Sequence, residues 1–182
     1  MRTIDFIFVL LVANIFLCIL VSSNHITIAE EILRKYPTGG SISDVKGISD
    51  MNGNGSPDII AGSTDYNVYV IDGTSMTRIW SFYANSEVVC VNHVDDINND
   101  GKPEVIIGCI DGLIAVLNGI DGGLIQSIRT DTGAIYGVQT IPDITGDGIS
   151  EVLAGGESSF PDHLTGLYCL DGYNISREVW PH

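Results

Sequence analysis

The chain has 182 residues, enough for one ordinary domain. It carries 8 Lys and Arg against 23 Asp and Glu, a formal net charge of −15. That balance excludes the basic surface that phosphate binding requires, so no nucleic acid partner is expected.

Met1 to Ser23 stands apart. Arg2 precedes the apolar run Phe6 to Val21, and the small residues Ser22 and Ser23 follow it. A basic start, an apolar core and small residues read as a signal peptide cleaved after Ser23. The alternative is an uncleaved membrane anchor through residues 4–23, although the run is shorter than the ~20 residues of a spanning helix. Both readings deliver the remainder outside the cytoplasm, secreted or membrane-anchored. Residues 24–40 form a lead-in. Within it, Ile32 to Tyr36 matches Arg78 to Phe82 in repeat register, which predicts a lone strand of the final type in a blade.

Three repeats follow, at 41–86, 87–133 and 134–182, and each holds four apolar runs. First strands are expected at Ile42–Ile48, Val88–Val94 and Ile135–Ile141. Second strands are expected at Ile59–Gly62, Val105–Gly108 and Val152–Gly155, short Val/Ile/Leu-rich runs ending in glycine, as buried strands do. Third strands are expected at Val68–Ile71, Leu113–Leu117 and Leu167–Leu170. Asp72-Gly73, Asn118-Gly119 and Asp171-Gly172 come next, dipeptides suited to tight turns. Fourth strands are expected at Arg78–Phe82, Leu124–Ile128 and Arg177–Trp180. Four short strands per unit of about 46 residues predict an all-β fold of β-propeller blades. There would be three four-stranded antiparallel blades plus the lone N-terminal strand. Three blades are fewer than the usual 4–8 of a closed propeller, so the reading is part of a larger propeller. Standing alone, it would expose strand edges that favour self-association.

Between the first and second strands of each repeat lies a loop with oxygen-bearing residues at alternate positions. The first is Asp50, Asn52, Asn54 and Asp58, the second Asp96, Asn98, Asp100 and Glu104, the third Asp143, Thr145, Asp147 and Glu151. Position 6 is glycine in all three, at Gly55, Gly101 and Gly148. Hard oxygen donors at positions 1, 3, 5 and 9 around a sharp turn are what a loop needs to wrap Ca²⁺. Each is not an EF-hand, because position 12 is Ala61, Ile107 or Ala154, and apolar strand-like runs follow. The metal-free alternative is an Asx-rich hairpin turn.

These residues resemble the FG-GAP repeat, the calcium-loop blade of integrin α-chain propellers and of many secreted microbial proteins. The likeness runs from Ser41 to His182. It implies up to three Ca²⁺ ions, each held by positions 1, 3, 5 and 9 and by the backbone carbonyl of position 7, here Ser56, Lys102 and Ile149. Asn54 at position 5 and Thr145 at position 3 depart from the acidic pattern. The first loop, with two carboxylates against three in each of the others, is expected to bind most weakly. A slighter likeness, in Val70-x-Asp72 and Trp80, is to the tryptophan-docking motif of quinoprotein-like propellers. Packing between adjacent blades is the expected role of Trp80.

Catalytic constellations are sparse. His25, His93, His163 and His182 are scattered, and the strands nearest a propeller axis offer only Lys46, His93 and Tyr136. The chain is therefore read as a calcium-binding, non-enzymatic module that binds an extracellular protein or glycan. The alternative is a piece of a propeller enzyme such as a polysaccharide lyase or quinone-dependent dehydrogenase. Cys90 and Cys109 are expected to face each other if Val94 pairs with Val105, with a disulfide permitted by the compartment. The competing reading is two buried free thiols.

Overall fold

A computed structural model describes residues 35–130, 133–157, 165–177 and 179. The chain divides into two compact units, Met1–Tyr36 and Pro37–His182. The signal or anchor segment lies outside the described residues, as does most of the expected lone strand; its described end, Lys35 and Tyr36, is not in a strand. Among the described residues no helix is long and apolar enough to cross a membrane.

The second unit is all-β. Among the described residues eleven strands form three sheets. Sheet one is β1 (Ile42–Ile48), β2 (Asp58–Ser63), β3 (Asn67–Ile71) and β4 (Arg78–Tyr83), in that order. Sheet two repeats it with β5 (Val88–Val94), β6 (Glu104–Cys109), β7 (Leu113–Leu117) and β8 (Leu124–Arg129). Sheet three holds β9 (Ala134–Ile141), β10 (Glu151–Glu157) and β11 (Thr165–Leu170). All neighbours are antiparallel. The expected fourth strand of this sheet, Arg177–Trp180, lies partly outside the described residues. Val179 N–H donates to the carbonyl of Cys169 at 2.8 Å, which joins that segment to β11.

The meander order follows from the short turns: three residues join β2 to β3 and β6 to β7, and six join β3 to β4 and β7 to β8, too few for the crossover that parallel neighbours need. At those turns Gly73, Gly119 and Gly172 lie against the carbonyls of Pro57, Pro103 and Ser150. A Cβ there would come within 2.2, 2.0 and 1.9 Å of oxygen. Glycine is thus required by close approach of the backbone.

The sheets stack face to face through two apolar seams. The first holds Ile60, Val68, Val70 and Trp80 of sheet one against Val88, Val91, Val105 and Ile107 of sheet two. The second holds Cys90, Ile106, Ile114 and Val116 of sheet two against Ile135, Val138, Val152 and Ala154 of sheet three. Central strands such as β6 are buried on both faces, which explains their unbroken apolar run. Each fully buried Ile or Val contributes about 1.5–3 kcal/mol over leaving it exposed. Trp80 packs in the first seam as expected from its size, and its Nε1–H donates to the carbonyl of Gly119 at 2.8 Å.

The register of β5 and β6 corrects the expected cysteine pair. Val94 faces Glu104, not Val105, and Cys90 faces Gly108. A one-residue slip turns a side chain to the other face. Cys90 therefore lies in the second seam and Cys109 in the first, on opposite sides of sheet two. Both are free and buried, as is Cys169. Burial pushes the Cys90 and Cys109 thiols up to about 12.

Candidate metal centre

The three loops join β1 to β2, β5 to β6 and β9 to β10. Each is closed by its position-1 carboxylate, folded back over the backbone. Asp50 accepts the N–H groups of Gly53 at 2.7 Å and Asn54 at 3.1 Å through Oδ1, and Gly55 at 2.8 Å through Oδ2. Asp96 accepts from Asp100 at 3.1 Å and Gly101 at 2.7 Å. Asp143 accepts from Gly146 at 2.6 Å and Gly148 at 2.8 Å. The Gly55 N–H above all lowers the Asp50 pKa, and the Gly146 N–H that of Asp143.

This wrapping needs two left-handed residues per loop. Position 6 is one, with φ of 87°, 89° and 92° at Gly55, Gly101 and Gly148. Position 4 is the other: Gly53 at 80°, Asn99 at 61° and Gly146 at 83°. Sequence reasoning passed over position 4, although Gly, Asn, Gly at one slot is the available signal, since these residues best tolerate φ > 0.

Positions 3 and 5 continue the ladder. Asn52 and Asn98 accept the N–H groups of Asn54 and Asp100 at 3.0 and 2.8 Å. Thr145 instead donates its hydroxyl to Asp143 at 3.4 Å. At position 5, Asn54, Asp100 and Asp147 accept the N–H groups of Ser56, Lys102 and Ile149 at 2.8, 3.0 and 2.8 Å. These are Asx turns.

Position 9 behaves differently. Asp58, Glu104 and Glu151 are buried beneath the loops. Asp58 accepts the Met51 N–H at 2.7 Å and the Gly73 N–H at 3.1 Å. Glu104 accepts from Ile97 at 3.0 Å, Asn98 at 3.3 Å and Gly119 at 3.4 Å. Glu151 accepts from Ile144 at 2.9 Å and Thr145 at 3.0 Å. The position-9 acid is thus a buried clamp on position 2 in every loop, on position 3 in the second and third, and in the first two blades also on the β3–β4 or β7–β8 turn. Burial raises the Glu104 pKa against the opposing pull of those N–H groups.

A further residue reaches the loops that the spacing did not single out. Asp72, first residue of the β3–β4 turn, accepts Nδ2–H from both Asn52 and Asn54 at 2.5 Å. Its counterpart Asn118 donates to Asp100 at 2.8 Å. In the third blade Asp171 instead pairs with Arg177 at 3.0 Å. The position-7 side chains point to different uses. Lys102 leaves its loop and donates to the Asp50 carbonyl of the first, whereas Ile149 packs against the second seam.

Positions 1, 3 and 5 are therefore gathered at one loop in each blade, with position 9 beneath. Among the described residues no three His, Cys, Asp or Glu side chains converge as a ligand group. The donor set does fit a hard cation: it is all oxygen, and each loop oxygen used once by an N–H keeps acceptor capacity.

No protein-family model matches the chain, and no curated protein sequence matches it. Solved structures do. BBS1N, crystallised in complex with ARL6DN, aligns over 79% of this chain and 41% of its own with TM-score 0.55 and 12% identity. BamB from Moraxella catarrhalis aligns over 81% and 39%, with TM-score 0.53 and 16% identity. The computationally designed Ika8 protein aligns over 76% and 35%, with TM-score 0.53 and 15% identity. This chain thus spans 35% to 41% of the length of these structures. At such identities the likeness shows the fold alone: the three sheets match propeller blades of larger propellers.

Proposed function

We propose that the chain is a calcium-stiffened propeller-blade module of the FG-GAP kind, acting outside the cytoplasm as a binding unit for a protein or glycan. One observation carries this reading: a position-1 carboxylate that accepts the position-6 N–H, with left-handed residues at positions 4 and 6, recurs at the same place in all three blades. An isolated Asx turn needs no such repetition. Positions 1, 3 and 5 and the position-7 carbonyls of Ser56, Lys102 and Ile149 would hold the ion. Bound Ca²⁺ would supply positive charge to a chain of net charge −15 and tie each loop to its blade.

Calorimetric titration of the chain with Ca²⁺ tests the proposal, with Asp50→Ala, Asp96→Ala and Asp143→Ala as single-loop variants. Each substitution should remove one binding event, and the first loop should be the weakest. Absence of binding heat, with an unchanged melting curve in excess chelator, would establish the loops as metal-free Asx turns.

A further inference from the structure

In the first two blades a side-chain bond ties loop to turn, with donor and acceptor exchanged. Position 5 is Asn54 and the turn begins at Asp72 in the first; position 5 is Asp100 and the turn begins at Asn118 in the second. Asn54 donates Nδ2–H to Asp72 Oδ2 at 2.5 Å, and Asn118 donates Nδ2–H to Asp100 Oδ2 at 2.8 Å. The other oxygen of each turn residue closes its turn. Asp72 Oδ1 accepts the N–H groups of Thr74 and Ser75, both at 2.7 Å. Asn118 Oδ1 accepts those of Ile120 at 2.7 Å and Asp121 at 3.2 Å. The third blade has Asp at both places, Asp147 and Asp171. Two ionised carboxylates hold no proton to share, and Asp171 Oδ2 accepts from Arg177 at 3.0 Å instead. The tie forms where a donor meets an acceptor, whichever side carries it.

In the first loop the tie also decides which atom faces where. An asparagine has an oxygen on one side of its amide and an NH2 on the other, and only the oxygen suits a hard cation. Asp72 Oδ2 accepts from Asn52 as well as from Asn54, both at 2.5 Å. An ionised carboxylate is acceptor-only, so both amides must turn their nitrogens toward it. Their oxygens then face the loop backbone. There Asn52 Oδ1 accepts the Asn54 N–H at 3.0 Å, and Asn54 Oδ1 accepts the Ser56 N–H at 2.8 Å. The second loop has no such choice at position 5, because Asp100 presents oxygen on both sides.

We propose that Asp72 is a positioning residue of the first loop: it holds the amides of Asn52 and Asn54 with their oxygens toward the loop, where a hard cation can use them. It also sets a third carboxylate beside a loop whose own ladder carries two, Asp50 and Asp58. Asp72 acts through the two asparagines and is not itself placed on the ion. The identity of the ion rests on the calcium reading above, whereas the orientation of the amides needs no metal. Outer partners of this kind fix the direction of the ligands they touch, and their loss costs metal affinity.

The test compares Asp72→Asn, Asn54→Asp and the two together in the full chain. The double variant rebuilds in the first blade the arrangement of the second. In excess chelator, amide hydrogen exchange is followed at Gly53, Asn54, Gly55 and Ser56, whose N–H groups are all bonded within the loop. Asp72→Asn should speed exchange there about tenfold, as expected for losing hydrogen bonds to a charged group. Asn54→Asp should also speed it, by setting two carboxylates against each other, and the double variant should recover most of both losses. Native exchange in Asp72→Asn, or losses that simply add in the double variant, would overturn the positioning role. Should Asp72→Asn fail to fold, a folded double variant supports the tie and an unfolded one overturns it. Titration with Ca²⁺ is then read at the amide signals of Gly55 and Gly148, one for each of the first and third loops. Asp72→Asn should weaken the Gly55 response by about 10–100-fold and leave that of Gly148 unchanged. An unchanged Gly55 response would overturn the positioning role with the calcium reading intact. No response at any loop of the native chain would overturn the calcium reading, and the exchange result decides the tie without it.

Discussion

The two internal seams occupy equivalent places in the repeat yet are held by different means. The first is closed by Trp80, whose ring lies against Gly122 of the next blade and whose N–H reaches Gly119. The same slot in the second is Gln126, which donates to the Tyr173 carbonyl at 3.4 Å and accepts the Ile175 N–H at 3.2 Å. Near the loops the contrast continues. Lys102 crosses the first seam to the Asp50 carbonyl. At the second, Ile149 is packed inward and the Ser150 N–H donates to Asp95 at 2.9 Å. The first seam cannot make that last bond: its counterparts are Pro103, which has no N–H, and Ser49. One repeat interface is thus closed chiefly by apolar burial and the other leans on hydrogen bonds, while the backbone stays the same.

The largest test removes the anchor. Trp80→Ala should cost about 3–5 kcal/mol in urea unfolding, the usual range for emptying a buried Trp site. Gln126→Ala should cost about 1 kcal/mol, the net worth of modest hydrogen bonds. Equal costs would break the distinction between the seams. Asp95→Ala should cost on the order of 1 kcal/mol by freeing the Ser150 N–H, whereas Ser49→Ala, at the first seam, should leave stability unchanged.

The lysine sharpens the contrast between the loops. An ammonium near the first loop opposes a divalent cation, at a cost on the order of 1 kcal/mol for unit charges ~4 Å apart in water. Lys102→Met should therefore tighten Ca²⁺ binding at the first loop by about fivefold, with the third loop unaffected. Calorimetry in the Asp96→Ala background isolates that change.

The smallest expected effect is chemical. Cys109 lies in the first seam and Cys90 in the second, and burial has pushed both thiols up to about 12. Since burial disfavours the thiolate, neither should react appreciably with iodoacetamide at pH 8 in the folded chain. In low denaturant Cys90 should be alkylated before Cys109 if the second seam opens first, and mass spectrometry of the peptides reads the order. Simultaneous labelling would mean that the seams open together.

Much of this architecture is written in local patterns. Period-two and short apolar runs, Asp-Gly and Asn-Gly turns, and a repeat of about 46 residues set the strands to within a few residues, because each blade is a local meander. The loops were legible for the same reason: alternate oxygen side chains and a glycine act within nine residues. Register was not. The slip that parts Cys90 from Cys109 comes from Val94 pairing with Glu104, where the buried acid is drawn down to the backbone of its own loop. That pull competes with simple strand alternation, and no spacing rule weighs it. Nor did spacing reveal that Asp72 reaches the first loop, or that Gly155 faces open space while Gly62 and Gly108 are filled. Those facts depend on which atoms meet across a turn or between sheets. The sequence by itself determined the blades and their loops, because both are short-range. The tertiary structure decided the register, through which backbone groups the buried acid meets within its blade, and the two kinds of seam and the open face at Gly155, through contacts between segments roughly one repeat apart.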